Sequence, residues 1–379
     1  MPSLSVMIKP ASGNCNLRCS YCFYREEAAN RACADRGIMT EQTAQHIIEK
    51  AFAYVGGDRD AYLSFAFQGG EPLLAGLPFF RAFVDTVRAR NNFHIPVEFS
   101  LQTNGMLIDA AYASFFAQEQ FLIGLSLDGI PAVHNAFRTD TKGHGTFDAV
   151  CRAARLLRTH GVPYNILCVV TDALCAHGKD VWQALCEHRY LQFIPCLPPL
   201  TADTPSHAPT QEHYAQFLDA IFDGYYRAFR RGSFVSVRTF DNWLNLLLRR
   251  PPESCAMCGI CMPTLVIEAD GTAYPCDFYA MDEYLLGNLC DSGTTIANLL
   301  TSPKMYAFLA PSHAVSDTCR RCRYYPLCRN GCRKERTLSD GRTHQCTAIR
   351  RFFDAHIGQL EEMADHIERS MHERRLSPR

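Results

Sequence analysis

The chain is expected to fold as an α/β protein, a partial (β/α)6 TIM-like barrel followed by a cysteine-rich C-terminal domain. Three observations predict this. Between residues 3 and 197, short apolar runs alternate with segments of helical periodicity, the pattern of parallel strands buried on both faces and joined by crossover helices. Polar, glycine-rich motifs close these runs at their C-terminal ends. Beyond residue 254 the cysteines crowd together, from Cys255 to Cys346.

The strand candidates are Ser3–Lys9, Tyr62–Gln68, Pro96–Gln102, Phe121–Leu127, Tyr164–Thr171 and Leu191–Leu197. Between them, Thr40–Val55, Phe79–Asn91, Asp109–Gln120, Thr146–His160 and Lys179–Arg189 read as helices, with apolar positions such as Phe147, Val150, Ala154 and Leu157 on one face. Gly57 and Gly161 stand just beyond two of them as stop signals. Six such units suit an incomplete barrel better than a closed eightfold one. The first strand leads into a cysteine loop and the second into Gln68-Gly69-Gly70-Glu71-Pro72. The third ends in Gln102-Thr103-Asn104-Gly105, the fourth in Ser126-Leu127-Asp128-Gly129 and the sixth in Ile194-Pro195-Cys196-Leu197. In parallel barrels such loops converge on the active-site face, and five on one rim are a poor match for ordinary turns. Helical stretches at 210–232 and 239–250 follow, then a break at Pro251-Pro252. The expected domains are a barrel over 1–232, a helical linker over 233–254, a cysteine-rich domain over 255–350, and a C-terminal helix and tail over 351–379. Within the third, Asp270-Gly271 signals a hairpin turn.

Composition narrows the function classes. Hydrophobic content of 47%, charged content of 20% and a formal net charge of −1 describe a globular protein without a global pull toward nucleic acid or an anionic membrane. The start MPSLSVMIKPASGN lacks the features of a signal peptide, and no apolar run is long enough to span a bilayer. Nineteen cysteines without a secretory signal point to metal or redox work in a reducing compartment, hence a cytoplasmic location.

Cys15, Cys19 and Cys22 form a Cys-x3-Cys-x2-Cys triplet directly after the first strand. Three thiolates can hold three irons of a cubane cluster and leave the fourth open for chemistry. A structural zinc site is the plainer alternative, but zinc usually takes four protein ligands there, and no Cys or His stands within ten residues after Cys22. Zinc ribbons are likewise the alternative for the later cysteines. Cys33, Cys151, Cys168, Cys175, Cys186, Cys196 and Cys290 are scattered and read as ordinary residues. Arg320, Arg321, Arg323, Arg329, Arg333, Lys334, Arg336 and Arg342, opposed by Glu335 and Asp340, interleave with the last cysteines. They read as counterions to anionic clusters in preference to a nucleic-acid patch.

The stretch MIKPASGNCNLRCSYCFY, together with QGGEP, QTNG, SLDG and HNAFR (134–138), resembles the anaerobic sulfatase-maturating enzymes, which are radical S-adenosylmethionine (SAM) proteins with a SPASM-type extension. The similarity runs over essentially the whole chain. It implies a radical SAM barrel with a C-terminal SPASM domain, three 4Fe–4S clusters, and SAM bound through its amino and carboxylate groups to the open iron at Cys15, Cys19 and Cys22. By the same resemblance Tyr21 contacts the adenine region, Gly70 the amino group, Ser126 and Arg138 the ribose and carboxylate, and Leu197 the adenine. Glu71 is either an acceptor for SAM's ammonium or a structural carboxylate at a strand end. Cys255, Cys261, Cys276 and Cys332 would hold one auxiliary cluster, and Cys319, Cys322, Cys328 and Cys346 the other. Cys258 is left over and competes with its neighbours for a ligand position. Asp277 occupies the family's base position. The implied reaction oxidises the cysteine or serine of a sulfatase Cys/Ser-x-Pro-x-Arg segment to Cα-formylglycine, with an external one-electron donor such as flavodoxin or ferredoxin. The alternatives are another SPASM peptide maturase, forming thioethers or crosslinks, and a non-catalytic electron-transfer protein.

Overall fold

The computed structural model describes residues 3–58, 60–200 and 205–376. Its strands are β1 (Leu4–Ile8), β2 (Leu63–Phe67), β3 (Val97–Thr103), β4 (Leu122–Ser126), β5 (Tyr164–Val170), β6 (Tyr190–Pro195), β7 (Ser236–Val237), β8 (Leu265–Ile267), β9 (Thr272–Tyr274) and β10 (Gly287–Asn288). The barrel helices are α1 (Phe23–Ala29), α2 (Glu41–Val55), α3 (Leu77–Arg90), α4 (Ala110–Gln118), α5 (Pro131–Phe137), α6 (Phe147–Thr159), α7 (Asp172–Cys175), α8 (Gly178–Leu185), α9 (Gln211–Arg230) and α10 (Arg238–Leu247). Past them lie α11 (Cys255–Cys258), α12 (Ile296–Leu300), α13 (Pro303–Leu309), α14 (Asp317–Arg320), α15 (Tyr325–Cys328) and the long α16 (Cys346–Leu376).

All ten strands form one sheet in the order β10-β9-β8-β1-β2-β3-β4-β5-β6-β7. Pairing is parallel from β8 through β7 and antiparallel only in the β8–β9–β10 edge. The six expected strands are present, and two features extend the sequence-based picture. Residues 233–254 include β7, which pairs with β6, so this stretch is part of the sheet as well as a linker. More consequentially, β8 from the cysteine-rich region lies parallel beside β1, with Val6 opposite Leu265 and Ile8 opposite Ile267. A two-residue strand and a three-residue apolar run carry too little periodicity to reveal a non-local partner. The last helix also starts earlier than residue 351, at Cys346, and absorbs most of the expected tail. Residues 377–379 of that tail lie outside the described residues.

Local chemistry sets the element ends. Thr40, Asp109 and Thr210 accept from the backbone N–H three residues on and cap α2, α4 and α9. The stop after α2 is Gly56 at positive φ, one residue before the expected Gly57. Phe65, Phe67, Phe80, Phe83 and Phe121 are fully buried and pack edge-on or stacked between sheet and helices. Each such ring contributes about 1.5–3 kcal/mol by leaving water. A second aromatic group, Phe222, Phe240, Trp243 and Phe352, seals α9 and α10 against α16. The result holds the C-terminal ends of β1 to β6 on one edge and attaches the cysteine-rich region directly to it.

Candidate active site

The cysteine loop leaves β1 through Ser12, whose φ of 48° turns the chain back over the rim. Two neighbouring loops clasp it. Gly70 N–H donates to Ser12 O at 2.8 Å and Glu71 N–H to Asn14 O at 2.7 Å. A Cβ on Gly70 would sit 2.0 Å from Asn14 O, so only glycine lets the β2 loop approach this closely. From the β3 loop, Asn104 Nδ2 donates to Asn16 Oδ1 at 2.8 Å and leans on Cys15 Sγ at 3.7 Å. On the far side Arg18 N–H donates to Thr139 O and Ser20 N–H to Phe137 O, tying the loop to the HNAFR segment.

The Cys15, Cys19 and Cys22 thiols are mutual electrostatic neighbours. Burial pushes Cys15 up to about 12 and Cys19 up to about 11, with Arg138 pulling the latter down. Thiols so placed ionise only against a strong cationic partner. Among the described residues no three Cys, His, Asp or Glu side chains converge on one point as a single zinc ion requires. A cubane sets each thiolate on a separate iron, and the triplet fits that donor set with one position left over.

Behind the loop, Asp128 is the centre of a saturated network. Tyr21 OH donates to its Oδ2, Arg138 Nε to Oδ2 at 2.8 Å, Arg138 Nη2 to Oδ1 at 3.1 Å, and Val169 N–H to Oδ1 at 2.9 Å. Burial opposes the Arg138 charge, but Asp128 more than offsets it and holds the guanidinium protonated. Asp128 N–H donates to His134 Nδ1 at 3.1 Å, while His134 Nε2 faces Thr146 Oγ1 at 3.1 Å and that hydroxyl donates to Arg138 O at 2.9 Å. Burial, reinforced by Arg138, lowers His134 to about 4, so it is neutral with its proton on Nε2. Sequence reasoning singled out Tyr21, Ser126 and Arg138 here but missed Asp128, His134 and Thr146. SLDG and HNAFR flagged the first two, yet only the fold shows that the Arg138 fork is occupied by Asp128.

A cleft of about 270 Å³ opens beside the loop, lined by Cys19, Tyr21, Phe23, Cys196, Leu197 and Pro198 among others. Tyr21 and Leu197, assigned from distant segments, thus share one wall system, and Ser126 is buried at the end of β4. Of the two roles offered for Glu71, the geometry favours the structural one. Its carboxylate is fully buried and accepts from Thr103 Oγ1 at 2.7 Å, Asn104 N–H at 2.8 Å and Leu73 N–H at 3.1 Å. Burial raises it to about 7, and these donors pull the other way.

Across the β8–β1 seam lies Asp277, next to Cys276. It pairs with the fully buried ammonium of Lys9 and accepts from Gln68 Nε2 at 2.8 Å, which sets it beside the QGGEP loop. Lys9 Nζ also lies 3.4 Å from the centre of the Tyr24 ring. Cys276 and Cys332 are mutual neighbours, and both adjoin Cys255; Cys332 also adjoins Cys261. Cys258, at the end of α11, also adjoins Cys255. In the second group Cys328 adjoins Cys319, Cys322 and Cys346. Two members of the cationic run spend their donors on backbone carbonyls. Arg336 donates to the carbonyls of Ser312, Gly259, Gly331 and Asn330, and Arg333 to Phe308 O while lying over the Tyr279 and Phe308 rings. Arg342 does reach a thiol, at 3.5 Å from Cys346 Sγ.

An incomplete parallel barrel, an open-ended cysteine triplet on its rim and an attached cysteine-rich hairpin define a radical SAM enzyme with an auxiliary iron–sulfur domain. The model of the radical SAM superfamily matches residues 10–183, and that of an iron–sulfur cluster-binding SPASM domain matches residues 255–323. Cysteine-type anaerobic sulfatase-maturating enzymes of Clostridium perfringens and Clostridium novyi are 38% and 39% identical, over 97% and 96% of this chain and 100% and 98% of their own length. A serine-type enzyme of Klebsiella aerogenes is 29% identical over 94% of this chain and 85% of its own. The solved structure of native anSMEcpe with bound AdoMet and Cp18Cys peptide matches with a TM-score of 0.89 over 97% of this chain and 100% of that one. The chain belongs to the anaerobic sulfatase-maturating enzymes. Streptococcus suis SuiB, at 14% identity and a TM-score of 0.61, shares the fold.

Proposed function

We propose that this chain oxidises a peptidyl cysteine of a sulfatase to Cα-formylglycine, with Asp277 as the base. The observation that carries this is the position of Asp277: a carboxylate from the auxiliary domain, adjacent to a cluster cysteine, bonded to Gln68 on the barrel rim. Full-length identity of 38% to cysteine-type relatives supports cysteine as the substrate side chain, and 29% identity to a serine-type enzyme makes serine the second choice.

Cys15, Cys19 and Cys22 would hold the SAM cluster; Cys255, Cys261, Cys276 and Cys332 one auxiliary cluster; and Cys319, Cys322, Cys328 and Cys346 the other. When bound, these groups supply a 5′-deoxyadenosyl radical that takes a hydrogen atom from the substrate Cβ, and an acceptor for the second electron. The remaining work falls to side chains. Tyr21 and Leu197 border the cleft assigned to the adenine; Gly70 would meet SAM's amino group and Ser126 its ribose, and Arg138 would meet the carboxylate with the edge of its guanidinium that Asp128 does not take. Glu71 fixes the loops through Thr103, Asn104 and Leu73. Asp277, held by Lys9 and Gln68, receives the proton lost as the C=S bond forms, and water then releases the aldehyde. The one-electron donor is an external carrier of the flavodoxin or ferredoxin kind, and the reducing cytoplasm suits the clusters. Among the described residues no helix is long and apolar enough to cross a membrane.

The test is mass spectrometry of matched Cys-x-Pro-x-Arg and Ser-x-Pro-x-Arg peptides incubated anaerobically with reconstituted protein, SAM and reductant. The cysteine peptide should exchange its thiol for an aldehyde faster than the serine peptide loses hydrogen. An unmodified cysteine peptide, or a thioether product, would overturn the assignment.

A further inference from the structure

The seam between β1 and β8 carries a second ion pair that the proposed reaction does not use. Arg31, just past α1, and Glu268, just past β8, are both fully buried in their side chains and meet at 2.7 Å. Tyr24 OH donates to the same Glu268 oxygen, and Arg31 Nη2 donates to Tyr24 OH at 3.2 Å. Arg31 Nε and Glu268 Oε2 have no hydrogen-bond partner among the described residues. A buried pair left partly unsatisfied is a weak source of stability, since apolar side chains of similar volume commonly do as well. Its geometry has a different use. Glu268 N–H closes the auxiliary hairpin onto Thr272 O, and Lys9 N–H donates to Ile267 O one residue before Glu268. The Tyr24 ring fixed by the pair is the one against which Lys9 places its ammonium, and Lys9 holds Asp277. The pair therefore joins three things: the helix that follows Cys22, the strand that leads to Cys276, and the cation beside the base.

We propose that Arg31 and Glu268 are positioning residues for proton removal, clamping the auxiliary hairpin to α1 so that Lys9 and Gln68 hold Asp277 over the barrel rim. This rests on Asp277 being the base. In the step concerned, the Cβ radical gives one proton to Asp277 and one electron to the oxidised auxiliary cluster, and the C=S bond forms. With the base displaced, the radical is instead quenched by an electron from the external reductant and a proton from solvent, so SAM is consumed and 5′-deoxyadenosine accumulates without product.

The experiment compares wild type, Glu268→Gln, Arg31→Lys and Asp277→Asn as reconstituted full chains with equal iron content. Formylglycine and 5′-deoxyadenosine are measured in the same reaction, and hydrogen–deuterium exchange across residues 265–279 is measured without substrate. In Glu268→Gln and Arg31→Lys, formylglycine should fall about tenfold while 5′-deoxyadenosine changes less than about twofold, as misplacement of a reacting group demands. Exchange in the hairpin should rise in both. A wild-type product ratio in both variants, or unaltered hairpin exchange, would overturn the clamp. If Glu268→Gln fails to assemble, Arg31→Lys decides alone, because it keeps the charge and alters only the fork. Wild-type product from Asp277→Asn would instead remove the base assignment, and so separates the two failures.

Discussion

Two aspartates near the barrel rim differ in how their charge is met. Asp128 accepts four hydrogen bonds, from Tyr21, Val169 and both ends of the Arg138 fork. Asp277 has one ammonium and one amide, and the neighbouring Glu27 is buried with neither oxygen hydrogen-bonded among the described residues. Burial first, then Asp277, pushes Glu27 up to about 7, with Lys334 at 3.7 Å pulling it back. A saturated buried network is rigid and specifies one geometry, while an incompletely satisfied one leaves room for a proton or a substrate group to enter. The SAM side of the rim is built as a scaffold, and the auxiliary seam as a place where charge can change.

Breaking the scaffold should cost the most. Asp128→Ala strands the buried Arg138 guanidinium and should lower stability by about 3–5 kcal/mol, measured by anaerobic denaturant unfolding. A variant as stable as wild type would erase the contrast between the two aspartates.

His134 gives the next effect, through pH. Its folded value of about 4 lies below the ordinary 6.5, so the unfolded chain binds a proton that the folded one refuses. Stability from this group is present above about 6.5 and lost as pH falls toward about 4, by up to about 3 kcal/mol. His134→Asn should flatten this acid limb in unfolding midpoints taken across that range; an unchanged slope would show that other groups set it.

A smaller effect is expected at the loop contact. Gly70→Ala drives a methyl into Asn14 O and should destabilise by about 1–3 kcal/mol, with weakened SAM binding by equilibrium dialysis. Normal SAM affinity would mean the loops separate without consequence.

The smallest effect sharpens the auxiliary side. Reconstituted wild type should carry about twelve irons, and Cys258→Ala should keep about twelve while Cys261→Ala loses up to about four. The reverse order would make Cys258 the ligand.

Much of this was legible in the sequence because it is local. Strand runs, caps and the cysteine spacings carry their own signals, and the rim motifs fall in register once the βα repeat is recognised. The resemblance to sulfatase-maturating enzymes was carried by contiguous residues, KPASGNC and SLDG among them. What escaped was pairing between distant segments. Nothing in LVI at 265–267 says that it lies beside Val6 and Ile8, and without that pairing Glu268 has no reason to meet Arg31. Glu71 is ambiguous for a related reason: a carboxylate after a double glycine suits an ammonium or a loop amide equally, and only the fold brings Thr103 and Asn104 onto it.

The central claim is that one region starts the reaction and the other completes it. It is tested most directly by measuring 5′-deoxyadenosine and formylglycine together for wild type, Cys15→Ala/Cys19→Ala/Cys22→Ala and Asp277→Asn. Wild type should form both, the triple variant neither, and Asp277→Asn the nucleoside with little aldehyde. Aldehyde from the triple variant, or full aldehyde yield from Asp277→Asn, would contradict the account.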